Sequence, residues 1–419
     1  MSNLYIVEGK RTPFCKMGTL LAEESPASLG IAASKGLIAE TGLDLNLIDE
    51  VIFGCVGQPA DEMNVSRLIG VRLGIPKRVP AVTVHRNCAS GLEAVTYASA
   101  KAEAGEGEVF LAGGTESMSQ MPLLFSRSTS KKIFSLFGAR TKRDKLKSLL
   151  RFRLKDLTPR ISLRMGLHDP ISGINMGQTA ELLAREYEIS RKDQDFYSFL
   201  SHGKASMSRD NFSKEIAPVY ASKDDCVNSP SGKVVSQDNG IREDSTVEKL
   251  NNLRPIFDKR EGTVTAGNSS QVTDGAVALL LMTESALNKT GHTPIAKIVR
   301  YAHAGCDPKR MGLGPVPAIK KLLHLASLKD IDLIEINEAF AAQTLACKKV
   351  LEKDFGEIPD EKLNVNGGAI ALGHPVGASG ARIILTLAKE LNRRGLKRGI
   401  ASLCVGGGQG SAIELETCA

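Results

Sequence analysis

The stretch NCASGLEAVTYASAKAEAGEGEVFLAGGTE, residues 87–116, returns in altered form as VGASGARIILTLAKELNRRGLKRGIASLCVGGG, residues 376–408. Both contain Ala-Ser-Gly, run into a helix rich in alanine and leucine, turn at a glycine and finish in a strand that ends in a glycine pair. A second pair of segments keeps nearly the same spacing: IDEVIFGCVG (48–57) and IDLIEINEAF (331–340). Asp49 and Asp332 lie 283 residues apart, Cys88 and Gly377 lie 289 apart. Two matches at almost one offset read as an internal duplication, not as the chance likeness of two small-residue helices. The position matching Cys88 is Gly377, three residues after His374. Pseudo-two-fold packing of the halves would therefore bring a thiol loop against a glycine-rich histidine loop.

Outward from this repeat the chain alternates helix and strand signals. Ser25-Pro26 starts a helix, a cap followed by proline at the first helical position, that runs to about Glu40. EVIFGCVG (50–57) and VPAVTV (79–84) read as buried strands, with a short helix in VSRLIGVRLG (65–74) between them. EVFLAGG (108–114) reads as another strand. Apolar strands alternating with helices predict a parallel or mixed sheet covered on both faces. The middle 150 or so residues differ in character. NMGQTAELLAREYEISRKDQDFYSFLSHGKAS (175–206) reads as two helices with Ser190 capping the second, and SPSGKVVSQDNGIRED (229–244) as a loop or hairpin. The expected division is 1–120, completed by about 272–293, as the first half, 121–271 as an inserted loop domain, and 294–419 as the second half.

The chain has 419 residues, 42% hydrophobic and 24% charged, which is the composition of a soluble globular protein. No apolar run approaches the roughly 18 residues of a membrane span. LYIVEGKRTPF (4–14) goes straight into a strand pattern, so no signal peptide is expected. The eight cysteines (15, 55, 88, 226, 306, 347, 404 and 418) form no CxxC pair, so neither a disulfide framework nor a zinc site is expected. A reducing, cytoplasmic setting follows. Of the net charge of +7, residues 126–164 carry +11, from 13 Lys or Arg against 2 Asp or Glu, which leaves −4 for the rest.

Four places carry reactive chemistry. Cys88 stands where the apolar run VPAVTV stops and a helix begins. Unpaired N–H groups and the helix dipole there favour a thiolate, although a lone cysteine is as often a core residue. His374 sits among Gly367, Gly368, Gly373 and Gly377, and a histidine beside a thiol is an activating arrangement. Cys404 ends a strand before GGGQG, so it can handle a proton while the N–H of Gly406 helps form an oxyanion hole. Asn337 and Glu338 end the strand IDLIEI, where α/β sheets place ligand groups, or else cap the next helix.

Together these motifs resemble the thiolases, acyl-CoA C-acyltransferases. NCASG is similar to the family's nucleophile motif, NEAF to its asparagine loop, GGAIALGHPVGASG to its histidine loop and CVGGGQG to its second cysteine loop, in the family's order over essentially the whole chain. The resemblance implies a five-layered αβαβα fold of two βαβαβαββ halves with an inserted loop domain. It implies that Cys88 takes the acyl group as a thioester, His374 deprotonates it and Cys404 moves the proton on the α-carbon. Asn337 would hold a water that forms one oxyanion hole with Nε2 of His374, and the N–H groups of Cys88 and Gly406 would form the other. Coenzyme A would be a substrate, with no cofactor and no metal, and would meet Ser270 in GTVTAGNSSQVTDGA, Met176 and Arg242. Dimers or tetramers are what the family implies. QDNGIRE, GTVTAGNSS, DPKRMGLGP and the basic insertion are similar to the thiolase subunits of β-oxidation complexes, which generally read HEAF where this chain has NEAF.

Two other readings are weaker. A ketoacyl-carrier-protein synthase pairs its cysteine with two histidines or a histidine and an asparagine, and GHP followed by CVGGGQG speaks against it. A non-catalytic scaffold should have lost one of Cys88, His374 and Cys404. In the basic segment, Leu146, Leu149, Leu150 and Phe152 fall on one face of a helix flanked by Lys145, Lys147, Arg151 and Arg153. That pattern predicts docking on an anionic membrane, or on a partner subunit carrying the earlier β-oxidation steps, and hence a place at the membrane periphery. Nucleic acid is not an expected partner, because the segment lacks tyrosine and tryptophan and the rest of the chain is net acidic.

Overall fold

The computed structural model describes residues 4–221, 234–323 and 328–418. Residues 229–233 of the expected loop or hairpin, and Cys226, lie outside them. The strands of the main sheet are β1 (Leu4–Arg11), β2 (Glu50–Gly54), β3 (Ala81–Val84), β4 (Val109–Glu116), β5 (Thr273–Thr283), β6 (Ala296–Gly305), β7 (Leu333–Ile336), β8 (Arg398–Val405) and β9 (Gln409–Thr417). Their order is β7-β8-β9-β6-β1-β5-β4-β2-β3, with Cys15–Lys16 as a short extra strand on β5.

The middle of this order is a seam, where β1 and β6 share only the pairs Tyr5–Lys297 and Ile6–Ala296. On either side one pattern repeats. β2 and β4 run parallel from the pair Glu50–Phe110, and β7 and β8 run parallel from Leu333–Gly399. These pairs reproduce the offsets 283 and 289 read from the sequence. β1 pairs antiparallel with β5 and β6 with β9, each with one bulge, after Ile6 and after Ile298. Asp49 Oδ2 accepts the N–H groups of Glu108 and Val109 at 2.7 and 2.9 Å. Asp332 Oδ2 accepts those of Lys397 and Arg398, both at 2.9 Å. The repeat weakens at one edge, where the place of β3 holds a single parallel bridge, Ile334–Leu363.

The longer helices are α1 (Pro26–Thr41), α2 (Val65–Arg72) and α3 (Ser90–Glu103), then α4 (Arg127–Phe137), α5 (Lys142–Leu149), α6 (Met176–Glu186) and α7 (Arg191–Met207), and finally α8 (Pro315–Leu323), α9 (Ala341–Phe355) and α10 (Val376–Arg394). Successive strand residues point to opposite faces. Ile52, Phe110 and Val277 thus join Leu333 and Leu403 in an inner core around α3 and α10, while Val51, Leu111 and Ala278 face an outer core with α1. Ile334 and Ile400 face a third core with α8 and α9. Two sheet halves, two outer helix pairs and one shared inner pair make five layers.

The inner helices interlock through glycine. A Cβ on Gly91 would lie 2.8 Å from Ala381 N, and one on Gly380 would lie 2.5 Å from Leu92 N. Each contact is the other's image under the 289 offset, so α3 and α10 cross about a pseudo-two-fold axis beside their N-termini. Ser25 caps α1 by accepting from Ser28 N, and Ser190 caps α7 in a box with Asp193, as the sequence predicts.

Two expectations change. β3 is a half-buried edge strand, not a doubly covered one, because the strand order leaves it without an outer neighbour. The amphipathic helix of the basic segment is shorter than its pattern: α5 ends at Leu149, and Phe152 lies in the turn beyond. Lys142, Arg143, Lys145 and Lys147 repel one another on a single short helix with only Asp144 to offset them.

Candidate active site

Cys88 lies between β3 and α3 on a tight turn. Asn87 adopts a left-handed φ of 43°, and Ser90 Oγ holds the turn closed by donating to Asn87 O at 2.7 Å and accepting Arg86 N at 2.9 Å. Asn87 Nδ2 then donates to Gly406 O at 2.8 Å, which ties the Cys88 loop to the Cys404 loop. Burial pushes the Cys88 thiol above its ordinary pKa, and the nearby Glu116 charge adds to this. The N–H groups of Gly406 and of Cys88 itself act the other way. Desolvation thus outweighs the donors at the helix start that favour the thiolate.

His374 is buried between Gly373, at φ 102°, and Pro375, which begins α10. A Cβ on Gly373 would lie 2.2 Å from Thr273 Cγ2, so only glycine fits. The His374 N–H donates to Gln271 O at 2.9 Å. Its Nδ1 lies 2.6 Å from Ser379 Oγ, which itself donates to Pro375 O at 3.1 Å. With the hydroxyl proton on that carbonyl, Oγ accepts from the ring and the tautomer carries its proton on Nδ1. Nε2 has no protein partner. Burial, helped by Arg382, brings His374 down to about 4. At neutral pH it is an uncharged imidazole with a free lone pair on Nε2.

Cys404 is buried in β8 opposite Gly410, beside Met311, Phe340, Met176 and Phe257. Burial pushes its thiol far up, and the Cys88 thiol adds to the push. Asn337 is fully buried, and neither polar atom of its carboxamide has a protein partner. A buried amide left unpaired is costly, so this side chain suits a ligand or water. Glu338 differs. Its carboxylate accepts Tyr197 OH at 2.9 Å, Ser201 Oγ at 2.7 Å, Asn364 Nδ2 at 3.2 Å and Ile370 N at 3.1 Å, which fastens the asparagine loop to the histidine loop. Neither residue caps α9, whose cap position is Phe340.

The other sequence-derived residues surround this centre. A Cβ on Gly406 would come within 3.6 Å of Met176 Sδ. Ser270 N donates to Ala339 O at 3.0 Å, so its half-buried side chain stands by the asparagine loop. Arg242 is exposed, two residues past Gly240, which packs on Ala371 O of the histidine loop. Its N–H donates to His202 Nδ1 at 3.2 Å, and its charge, after burial, lowers Lys16 and His202. Among the described residues no group of three or more His, Cys, Asp or Glu could hold a metal ion. Sequence reading missed Asn87, Ser379 and Glu116. Ser90 and Ser379 were visible as the repeated serine of Ala-Ser-Gly, 289 residues apart.

A neutral imidazole with a free Nε2, two thiols on linked loops and an unpaired carboxamide form a set able to activate a thiol and move protons on carbon. Residues 4–285 match the thiolase N-terminal domain model and residues 292–417 the thiolase C-terminal domain model. A probable acetyl-CoA acyltransferase of Staphylococcus epidermidis is 40% identical over 98% of both chains. The human mitochondrial 3-ketoacyl-CoA thiolase is 41% identical, covering 100% of this chain and 99% of that one. The crystal structure of the Bacillus anthracis acetyl-CoA acetyltransferase superposes with a TM-score of 0.89 at 39% identity, over 100% of this chain and 99% of that chain. That of the human mitochondrial 3-ketoacyl-CoA thiolase in complex with CoA gives 0.86 at 38%, over 99% and 98%. The chain belongs to the thiolase family and is an enzyme of the acyltransferase class.

Proposed function

We propose that the protein cleaves 3-oxoacyl-CoA with CoA to acetyl-CoA and a shortened acyl-CoA, or runs the reverse condensation, by a ping-pong route through Cys88. Nε2 of His374 takes the Cys88 proton, and the thiolate attacks the 3-oxo carbon. The C2–C3 bond breaks, its electron pair stays on C2, and the Cys404 thiol protonates that carbon to release acetyl-CoA. Incoming CoA gives its thiol proton to the Cys404 thiolate and attacks the Cys88 thioester. Cys88 leaves as thiolate and recovers its proton from His374. Asn337, through a water, and His374 would stabilise the enolate oxygen. The N–H groups of Cys88 and Gly406 would stabilise the tetrahedral oxyanion, a role that typically contributes about 3 kcal/mol per donor. Ser270 and Met176 would line the pantetheine path, and Arg242 with Lys16 would meet phosphate.

The observation that carries this reading is the Asn87–Gly406 bond, which holds the Cys88 loop to the Cys404 loop, and the uncharged state of buried His374 supports it. Intact-mass analysis with acyl-CoAs of two to sixteen carbons tests it. A mass gain on the wild type that Cys88→Ser lacks is expected, and acylation that persists in the serine variant overturns it. Residues 1–120 with 272–293, 121–271 and 294–419 are the proposed working units, assembled as a homodimer or homotetramer.

We further propose that the protein works at the surface of an anionic bilayer. Of the 23 large apolar side chains exposed among the described residues, 14 fall between Leu123 and Ile171, the region that also carries the +11 segment. Phe134 and Phe137 on α4 are 74% and 81% exposed, Leu150 and Leu154 beyond α5 are 76% and 87% exposed. Lysine is depleted from protein interfaces but abundant here, and a second copy would oppose two +11 surfaces, so lipid is the better complement. No helix among the described residues is long and apolar enough to cross a membrane. Co-sedimentation with phosphatidylserine vesicles should be lost in the triple variant K142E/K145E/K147E and weaken with salt. Equal, salt-insensitive partitioning of the two proteins, or acidic-protein capture without vesicle binding, overturns the proposal.

A further inference from the structure

The last residue of β4, Glu116, has no part in the chemistry above, yet it touches both halves of the site. Its side chain is fully buried. Its carboxylate accepts Gly57 N at 2.8 Å and Val56 N at 3.1 Å, from the turn that follows β2. From the other half it accepts Gly377 N at 2.8 Å. Gly377 lies in the first turn of α10, three residues past His374, and Pro375 leaves that helix without a side-chain cap of its own. A carboxylate from the first half thus caps the helix that carries the histidine of the second. Glycine at 377 permits it: a Cβ there would sit 2.5 Å from Thr115 O and 2.9 Å from Glu116 Oε2.

The surroundings of Glu116 are short of positive charge. The titratable groups recorded around it are the Cys55 thiol, 3.8 Å from Oε1, the Cys88 thiol, and Glu62, which acts on Cys55. No cation forms an ion pair with it among the described residues. A buried carboxylate supported by three backbone N–H groups and the Cys55 thiol keeps all of these bonds when ionised. When protonated, one oxygen becomes a donor that faces donors.

We propose that Glu116 is a positioning residue whose ionised carboxylate clamps the first turn of α10 to the β2 turn, and so holds His374 in register with Cys88. The proposal rests on the reading of His374 as the base. Burial raises Glu116 to about 7, while His374 sits near 4. An acid limb in activity near neutrality is therefore expected from Glu116 and not from the histidine. The Glu116 charge also hinders ionisation of Cys88, so removing it should make that thiol easier to ionise.

Two measurements on wild type, Glu116→Gln and Glu116→Asp test this: thiolysis against pH, and the rate of Cys88 alkylation by iodoacetamide followed by peptide mass. Wild type should lose about tenfold in kcat/KM between pH 8 and pH 6. The glutamine variant should be slower by about tenfold at pH 8, with KM little changed and no acid limb near 7. Its alkylation midpoint should fall by about half a pH unit or more. Aspartate should keep the limb at reduced kcat. The proposal is overturned if wild type keeps its rate to pH 5.5, a measurement that needs no variant to fold. It is equally overturned if a folded glutamine variant keeps both the limb and the alkylation midpoint of wild type. Alkylation requires no turnover, so a failure of the thiolase reading, with no acyl-Cys88 formed, stays distinguishable from a failure of the clamp.

Discussion

The first half of the sheet and the second share strand order apart from the edge strand, register, bulge position and the aspartate that anchors each helix-to-strand turn, yet they differ at nearly every residue to which the proposal gives chemistry. At equivalent places stand Cys88 and Gly377, Thr115 and Cys404, Gly54 and Asn337, and Glu116 and Val405. All of these lie at strand ends or helix starts, none in the middle of a strand. Positions inside the layers are bound by packing on two sides, whereas the ends pass into loops and were free to diverge.

Exchange at the paired ends should break this asymmetry most severely. Cys88→Ser is expected to lower thiolysis by about 10⁴-fold or more, since an alkoxide neither forms nor leaves as a thiolate does, and steady-state assay with CD for the fold checks it. The pair Gly54 and Asn337 comes next. Asn337→Ala should cost about 10²–10³ in kcat, with the fold intact. Gly54→Ala should fail as a fold, because its Cβ would lie 2.2 Å from the Ser90 carbonyl carbon. Expression and thermal melts of the two variants separate these outcomes.

A third test concerns Glu116 and stability. Its folded pKa is raised from 4.5 to about 7 by burial. The group therefore favours the fold below about pH 4.5, and that contribution is lost as pH rises through 7. A shift of this size corresponds to about 3 kcal/mol. Relative to wild type, Glu116→Gln should gain stability as pH climbs from 5 to 8 while losing activity, as followed by urea melts at each pH; a gap that is constant with pH counts against the buried charge. The smallest effect concerns what the halves have kept. Asp49→Ala and Asp332→Ala should each cost about 1–2 kcal/mol and add in the double variant. Strongly unequal losses would mean that the repeated geometry is not energetically equivalent.

The duplication, the helix starts and the reactive loops were legible because each is local: a glycine run, a cap, an Ala-Ser-Gly at a fixed offset. What escaped was long-range. Glu116 meets a partner 261 residues away, and GGTE contains nothing that announces it. The role of Ser379 depends on the ring of His374 turning back on its own helix. The edge position of β3 is a property of strand order, which an apolar run cannot encode. The basic segment was legible as a surface but not as a helix of stated length, since the repulsion among its own charges shortens it.

The glycine interlock of α3 and α10 has the form of a self-complementary contact between identical subunits, in which each partner presents the same patch to the other. Two identical chains meeting this way must carry the same residue at both images of every site, so a thiol at one helix start would oblige a thiol at the other. Joining the copies in one polypeptide lifts that obligation. The single-chain arrangement lets position 88 be a cysteine while position 377 is the glycine that admits a carboxylate, and each of these residues excludes the other from its place.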